Sequence, residues 1–222
     1  MLSLADLIDL GGLPAPWRSL GEVTHPWDVL ARLDELLEGL TGRIAGEVHP
    51  SAVLEGAVRV EQGARVGPHA YLVGPVWLLP GAYVGHGAHT RGGVILAEGA
   101  GLGHASEAKR SVLLAGAKAP HFNYLGDSLL GQRVNLGAGV KCANLKAQGD
   151  GVRVDGVETG LRKLGAIVGD DVSIGCNAVL APGTLVGPGS VIYANASVRG
   201  VIPPRTIVKL GDSLTSEPLR AS

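Results

Sequence analysis

Aromatic bulk is what this sequence most conspicuously lacks: phenylalanine occurs once in 222 residues, and aromatic residues make up 4% of the chain. A layered globular core usually draws on more aromatic area, so a narrow and regular core is expected. Cysteine is nearly missing too. Cys142 and Cys176 are too few for a disulfide framework and have no zinc-knuckle spacing, which makes a reducing cytoplasm the expected compartment. There is no excess of either charge: 19 Lys and Arg oppose 20 Asp and Glu. That balance gives no general attraction for nucleic acid or an anionic membrane, although local basic sites remain open. No apolar run is long enough to span a bilayer, and the N-terminus is acidic where a signal peptide would be basic. No phosphate-binding loop, dinucleotide fingerprint or Ser-His-Asp arrangement is evident. In abundance, by contrast, are 35 glycines, 13 prolines and 45% hydrophobic residues, too apolar for a disordered chain.

Those residues are periodic. Val48, Leu54, Val60, Val66, Leu72, Leu78 and Val84 are six apart, and after Thr90 the series continues at Leu96 and Leu102. It resumes at Leu130, Leu136 and Cys142, and again from Val168 through Ile174, Leu180, Val186 and Ile192 to Val198. Small or modest side chains such as Ala52, Val58, Ala64 and Ala70 fall four places after each, with glycines between. A short strand that points its large residue inward, followed by a glycine-containing corner, accounts for this pattern. Three such sides close one triangular coil, and coils stack about 4.8 Å apart. Antiparallel hairpins would alternate with period two instead. A parallel β-helix is therefore expected over 46–210. The repeat alone gives no handedness.

Three segments stand outside the repeat. Residues 1–45 form an expected helical extension, with helices over 4–10 and 29–40, the second lying on or near the open N-terminal end of the solenoid. Residues 146–164 break the phase and read as a projecting hairpin, with Val152 and Val154 alternating with charged residues. Residues 211–222 read as a flexible tail.

Chemistry concentrates between Arg91 and Lys146. Arg91 and Lys109 are 18 residues, one coil, apart, so they should stack, and two stacked cations favour an anion such as phosphate between them. His121 has Tyr124 and the acidic Asp127 close behind it, and histidine is the usual general base near neutral pH. Asn135 and Asn144 follow near corners, where amides could orient a substrate or form ladders in the solenoid. His86 and His104 should also stack, but zinc needs three convergent ligands, and no metal is expected. Cys142 falls at an inward position, whereas Cys176 lies off the core column.

The run from His121 through Tyr124, Gly126-Asp127 and Asn135-Leu-Gly-Ala-Gly to Asn144 resembles one domain of a known family. This is the acetyltransferase domain of the bifunctional glucosamine-1-phosphate N-acetyltransferase/N-acetylglucosamine-1-phosphate uridylyltransferases. Arg91 and Glu107-Ala-Lys109 upstream fall at matching distances, and Arg162-Lys-Leu-Gly-Ala-Ile-Val-Gly-Asp170 is similar to the archaeal variant. The resemblance covers roughly 48–210 and implies a left-handed β-helix of the hexapeptide-repeat acyltransferase kind. It implies His121 as general base, Arg91 and Lys109 on the sugar phosphate, and Tyr124, Asn135 and Asn144 positioning the sugar. It also implies acetyl-CoA as co-substrate near Cys176 and Ala194, and a homotrimer with sites between subunits. Leu145 stands where the bacterial form has tyrosine, and Lys141 and the insertion alter the rim. About 45 residues precede the repeat, too few for the uridylyltransferase half, so no uridylyl transfer is expected. Other readings keep the fold but change the acceptor to another amino sugar or a nucleotide-linked one. Still others make the chain a non-catalytic trimeric scaffold, or a metalloenzyme of the carbonic anhydrase type.

Overall fold

The computed structural model describes residues 2–11 and 22–210. The expectation for 211–222 lies outside the described residues. The chain forms a left-handed parallel β-helix of about nine turns. Its three faces are parallel sheets of nine, nine and eight short strands. The first face begins at Arg43–Ile44, the second at Glu47–Val48 and the third at Val53–Glu55, and the chain visits them in that order on every coil. The inward columns form one continuous core from Val58 to Val198. Each coil satisfies its backbone on the coils beside it.

The register explains why the sequence period broke off after Leu102. Val58 pairs with Val76 and Val76 with Val94, steps of 18, but Val94 pairs with Ser111, a step of 17. The lost residue is at the corner between the third and first faces. Gly92 and Gly93 turn that corner in one coil, while Arg110 alone turns it in the next, and both Arg110 N and Ser111 N donate to their carbonyls at 2.8 Å. Asp127 repeats the short corner, its N–H donating to Lys109 O at 2.9 Å. Leu113, Ala119 and Leu125 therefore carry the core through this stretch in shifted phase. The solenoid is unbroken there.

The second helix does not lie at the N-terminal end of the solenoid as expected. Helix α1 (Leu4–Leu7) and helix α2 (Val29–Leu37) are shorter than the sequence suggested, and both pack on the first face. The reason is chemical. Outward positions on that face are apolar (Ile95, Val112, Leu129, Ile167 and Leu185), so its middle strands are buried on both sides. The apolar stripe of α2, with Val29, Leu30, Leu33 and Leu37, covers them. Each such side chain buried is worth about 1.5–3 kcal/mol. The insertion does form a hairpin, Arg153–Val154 pairing antiparallel with Val157–Glu158. Its turn residues Asp155 and Gly156 have φ of 51° and 80°, as a tight two-residue turn requires. It does not project freely, because Val152 and Val154 are buried in the same outer cluster.

Candidate active site

The shortened corner gathers side chains that the regular coils keep apart. Ala108 pairs with Thr90, which sets Lys109 beside Arg91 on the third face. The like charges are balanced by carboxylates. Arg91 Nη1 lies 2.9 Å from Glu107 Oε1, and Lys109 Nζ lies 3.5 Å from Asp127 Oδ2. The Glu107 hydrogen bond and charge hold the Arg91 guanidinium above its ordinary range. Asp127 itself is only 3% exposed at its side chain. It also accepts a hydrogen bond from Asn144 Nδ2 and lies 3.7 Å from Arg110 Nη1. Tyr124 donates its hydroxyl to Asn144 Oδ1 at 3.4 Å. Burial first, then the nearby Glu107 charge, raise the Tyr124 pKa, so the phenol stays a neutral donor above its usual range.

Gly126 makes this cluster possible. It pairs with Lys109 in the adjacent coil, and a Cβ there would stand 2.5 Å from Asn144 Nδ2 and 2.8 Å from the Tyr124 hydroxyl. Any side chain would therefore displace the pair. Behind the cluster, Arg110 reaches α2: Nε donates to Asp34 Oδ1 at 3.2 Å, and Nη2 donates to Leu30 O at 3.4 Å. The Asp34 hydrogen bond raises the Arg110 pKa, with desolvation opposing it.

His121 lies elsewhere, at the exposed corner between the second and third faces. Asp127 does not approach it; that carboxylate serves Lys109, Arg110 and Asn144 instead. Asn135 is exposed on the second face. Ladder bonds from Gly139 N to His121 O, Asn177 N to Ala138 O and Asn195 N to Cys176 O stack His121, Ala138, Cys176 and Ala194 on successive coils. Cys176 and Ala194 are exposed there, while Cys142 is buried in the core and its thiol is pushed up to about 12 by desolvation. Among the described residues, no hydrogen bond or ion pair joins the side chains of His121 or Asn135 to the Tyr124 cluster. The candidates thus separate: Arg91, Lys109, Tyr124 and Asn144 gather on the third face, His121, Cys176 and Ala194 line its corner with the second, and Asn135 is on the second face.

Sequence reading passed over Asp127 as the hub, and passed over Arg110 and Asp34 altogether. The usable signal was the slip from an 18-residue to a 17-residue step, since it marks which corner has changed. His86 and His104 do stack, with centroids 4.9 Å apart and Nδ1 atoms 3.0 Å apart, and His104 meets the edge of Phe122. Among the described residues, no group of three or more His, Cys, Asp and Glu side chains is placed to hold a metal ion.

The chain matches the family model "Bacterial transferase hexapeptide (six repeats)" over residues 165–200. It is 42% identical over 210 residues to the bifunctional protein GlmU of Methanococcus maripaludis strain C7, covering 93% of this chain and 50% of that protein. The chain is homologous to the acetyltransferase domain of GlmU. Identity to the GlmU of Methanococcus maripaludis strain C5 is 34% over 220 residues, 96% of this chain and 53% of that protein. For Methanocaldococcus jannaschii GlmU it is 34% over 208 residues, 92% and 50%. The chain spans about half the length of the curated GlmU relatives it matches.

Proposed function

We propose that the protein transfers the acetyl group of acetyl-CoA to the amine of an amino-sugar 1-phosphate, with glucosamine-1-phosphate as the acceptor. The observation that carries this reading is the third-face cluster. Two cations, a neutral phenol and an oriented amide are held there with Glu107 and the buried Asp127. Arg91 and Lys109 take the phosphate, exchanging part of their contact with Glu107 and Asp127 for the ligand's oxygens. Tyr124 and Asn144 bind sugar hydroxyls, and Asn135 orients the reacting groups.

His121 accepts a proton from the substrate amine. The amine nitrogen bonds to the thioester carbonyl carbon, the oxyanion is steadied by backbone N–H donors, and collapse breaks the C–S bond. CoA leaves as thiolate and takes the proton back from His121, so the products are the N-acetyl sugar phosphate and free CoA. Acetyl-CoA passes Cys176 and Ala194 on the His121 corner. The active assembly is a homotrimer in which one protomer's His121 corner meets a neighbour's Tyr124 cluster. The separation of the two groups within one chain supports that arrangement. The second and third faces supply the contacts, since α1, α2 and the hairpin already cover the first.

The deciding assay follows release of CoA thiol from acetyl-CoA with glucosamine-1-phosphate. Galactosamine-1-phosphate, glucosamine-6-phosphate and free glucosamine serve as parallel acceptors. Release that depends on the 1-phosphate is expected. No release with any acceptor, from protein shown to be folded, removes this reading.

A further inference from the structure

The strands of the third face carry three cations, and they are not equally engaged. Arg91 is paired with Glu107, and Lys109 with Asp127. Lys141 has no ion-pair partner among the described residues. Its strand neighbours are Tyr124 on the coil before and Val179 on the coil after, neither of them acidic. The side chain folds back along its own strand, and Nζ donates to Gly139 O at 2.6 Å. Gly139 belongs to the corner that stacks His121, Ala138 and Cys176, and its N–H donates to His121 O at 2.9 Å. It turns at φ 73°, and a Cβ there would collide with Asn177 Oδ1 and stand 3.8 Å from Lys141 Nζ. Glycine thus lets an ammonium and an amide oxygen lie over this corner, between the coil of His121 and that of Cys176. An ammonium has three N–H donors, and the bond to Gly139 occupies one of them.

We infer that Lys141 is a further catalytic residue, whose ammonium meets the negative charge on the sulfur of departing CoA. The inference rests on the acetyl-transfer reading above and adds to it a group outside the Tyr124 cluster's hydrogen bonds. The order of coils favours the sulfur over the acceptor. Arg91 and Lys109, which take the acceptor's phosphate, are on coils before His121. The ammonium lies on the other side of His121, next to Cys176 on the donor's route. On the line from amine nitrogen through carbonyl carbon to sulfur, Lys141 is therefore at the sulfur end. When the C–S bond breaks, its electron pair stays on sulfur. The ammonium donates a hydrogen bond to that thiolate and keeps its own protons, while the proton that neutralises the sulfur comes from His121. A cation already in place where charge develops costs no rearrangement at the moment of reaction.

The test titrates the thiol of CoA bound to the full chain, read by the ultraviolet absorbance of the thiolate. The complex with S-methyl-CoA serves as blank, so that the titratable neighbours His121, Tyr124 and Cys176 cancel. A cation beside a thiol favours its charged form, so bound CoA should titrate lower in the wild type than in Lys141→Met, by about one pH unit or more. Lys141→Arg should keep most of that difference. Lys141 is exposed, and unchanged circular dichroism verifies the fold of each variant. In single turnover, Lys141→Met should slow acetyl transfer about tenfold, the equivalent of one pKa unit, with half-saturation by glucosamine-1-phosphate unmoved. Equal thiol titration in wild type and Lys141→Met, when the wild type acetylates the sugar phosphate, overturns this inference alone. A weaker hold on the sugar phosphate with the thiol unmoved also overturns it and gives the ammonium to the acceptor. A wild type that binds no CoA removes it together with the acetyl-transfer reading. A Lys141-dependent thiol shift without acetylation of any acceptor leaves Lys141 in place and removes the acceptor assignment.

Discussion

The early coils and the middle coils of this solenoid are built from the same strands, yet they differ at one corner. From Val58 to Val94 each coil repeats the last, and the third-face corner is turned by Gly56-Ala57, Gly74-Pro75 and Gly92-Gly93. From Val94 to Lys141 the corner is one residue shorter, and Arg110 and Asp127 turn it, each at φ 45°. At Asn144 the same corner opens into the insertion, which closes when Leu164 N donates to Asn144 O at 3.0 Å. A glycine corner serves only the path of the chain. A corner turned by one side-chain-bearing residue spends some backbone strain and gains a functional group fixed at the edge of a rigid sheet. The early corners carry no charged side chain, and the middle corners place Arg110 and Asp127 at the sheet edge.

Substitutions in the two regions should separate accordingly. The largest effect is expected from His121→Ala, which should cut turnover by roughly 10²–10⁴, the usual worth of a positioned general base, with the fold retained by circular dichroism. Near-wild-type turnover would remove His121 from its role. Leu78→Ala, in the fully buried core of an early coil, should cost about 2–5 kcal/mol in denaturant unfolding and leave the KM values unaltered. A comparable loss of substrate affinity in that variant would mean that the scaffold and the site are not separable.

Asp127→Asn tests the middle coils by leaving Lys109 and Arg110 without their buried counter-charge. Because both cations are partly exposed, a loss of roughly 2–3 kcal/mol is expected, together with weaker acceptor binding, since Asn144 loses its anchor. Stability lost with KM unmoved would reduce Asp127 to a packing residue. Arg91→Ala should raise KM for phosphorylated acceptors about 10–100-fold and affect free amino sugars far less. Equal losses for both would end its phosphate role.

The period of six, its inward residues and the parallel coil were legible in the sequence because inward positions on a narrow coil accept little except Val, Leu, Ile, Ala and small polar residues. Candidate site residues could be picked out one at a time, as with His121, Tyr124 and Asn144. Their grouping was not. Which corner each occupies depends on a single missing residue at Arg110, and a one-residue slip is inconspicuous in a sequence already rich in glycine. The place of α2 was missed for a different reason. The apolar outward residues Ile95 and Val112 lie next to inward residues in the strands, so an alternating pattern, the signature of a face open to water, is absent there. That absence was the available sign that something covers the first face.

The smallest effect, and the simplest to measure, concerns the two thiols. Cys176 is exposed, and Cys142 is buried with its thiol pushed up to about 12. At pH 8 a thiolate-selective reagent should label one cysteine in the native protein and two after denaturation. Rapid native labelling of both would mean that the middle coils open far more readily than their packing suggests.

The tie between Asp34 and Arg110 has a consequence for how such a molecule can change length in evolution. A solenoid tolerates duplication of a whole coil, because each coil answers only to its neighbours. Here α2 is tethered to the first coil through residues 38–42, yet it grips the fifth first-face strand, Ser111–Leu113, and holds Arg110 across 76 residues of sequence. A coil duplicated between Ile44 and Val94 would carry Arg110 about 4.8 Å further along the axis, out of reach of Asp34. Helix α2 thus acts as a ruler for the coils between Ile44 and Arg110, where no coil can be added without breaking its grip.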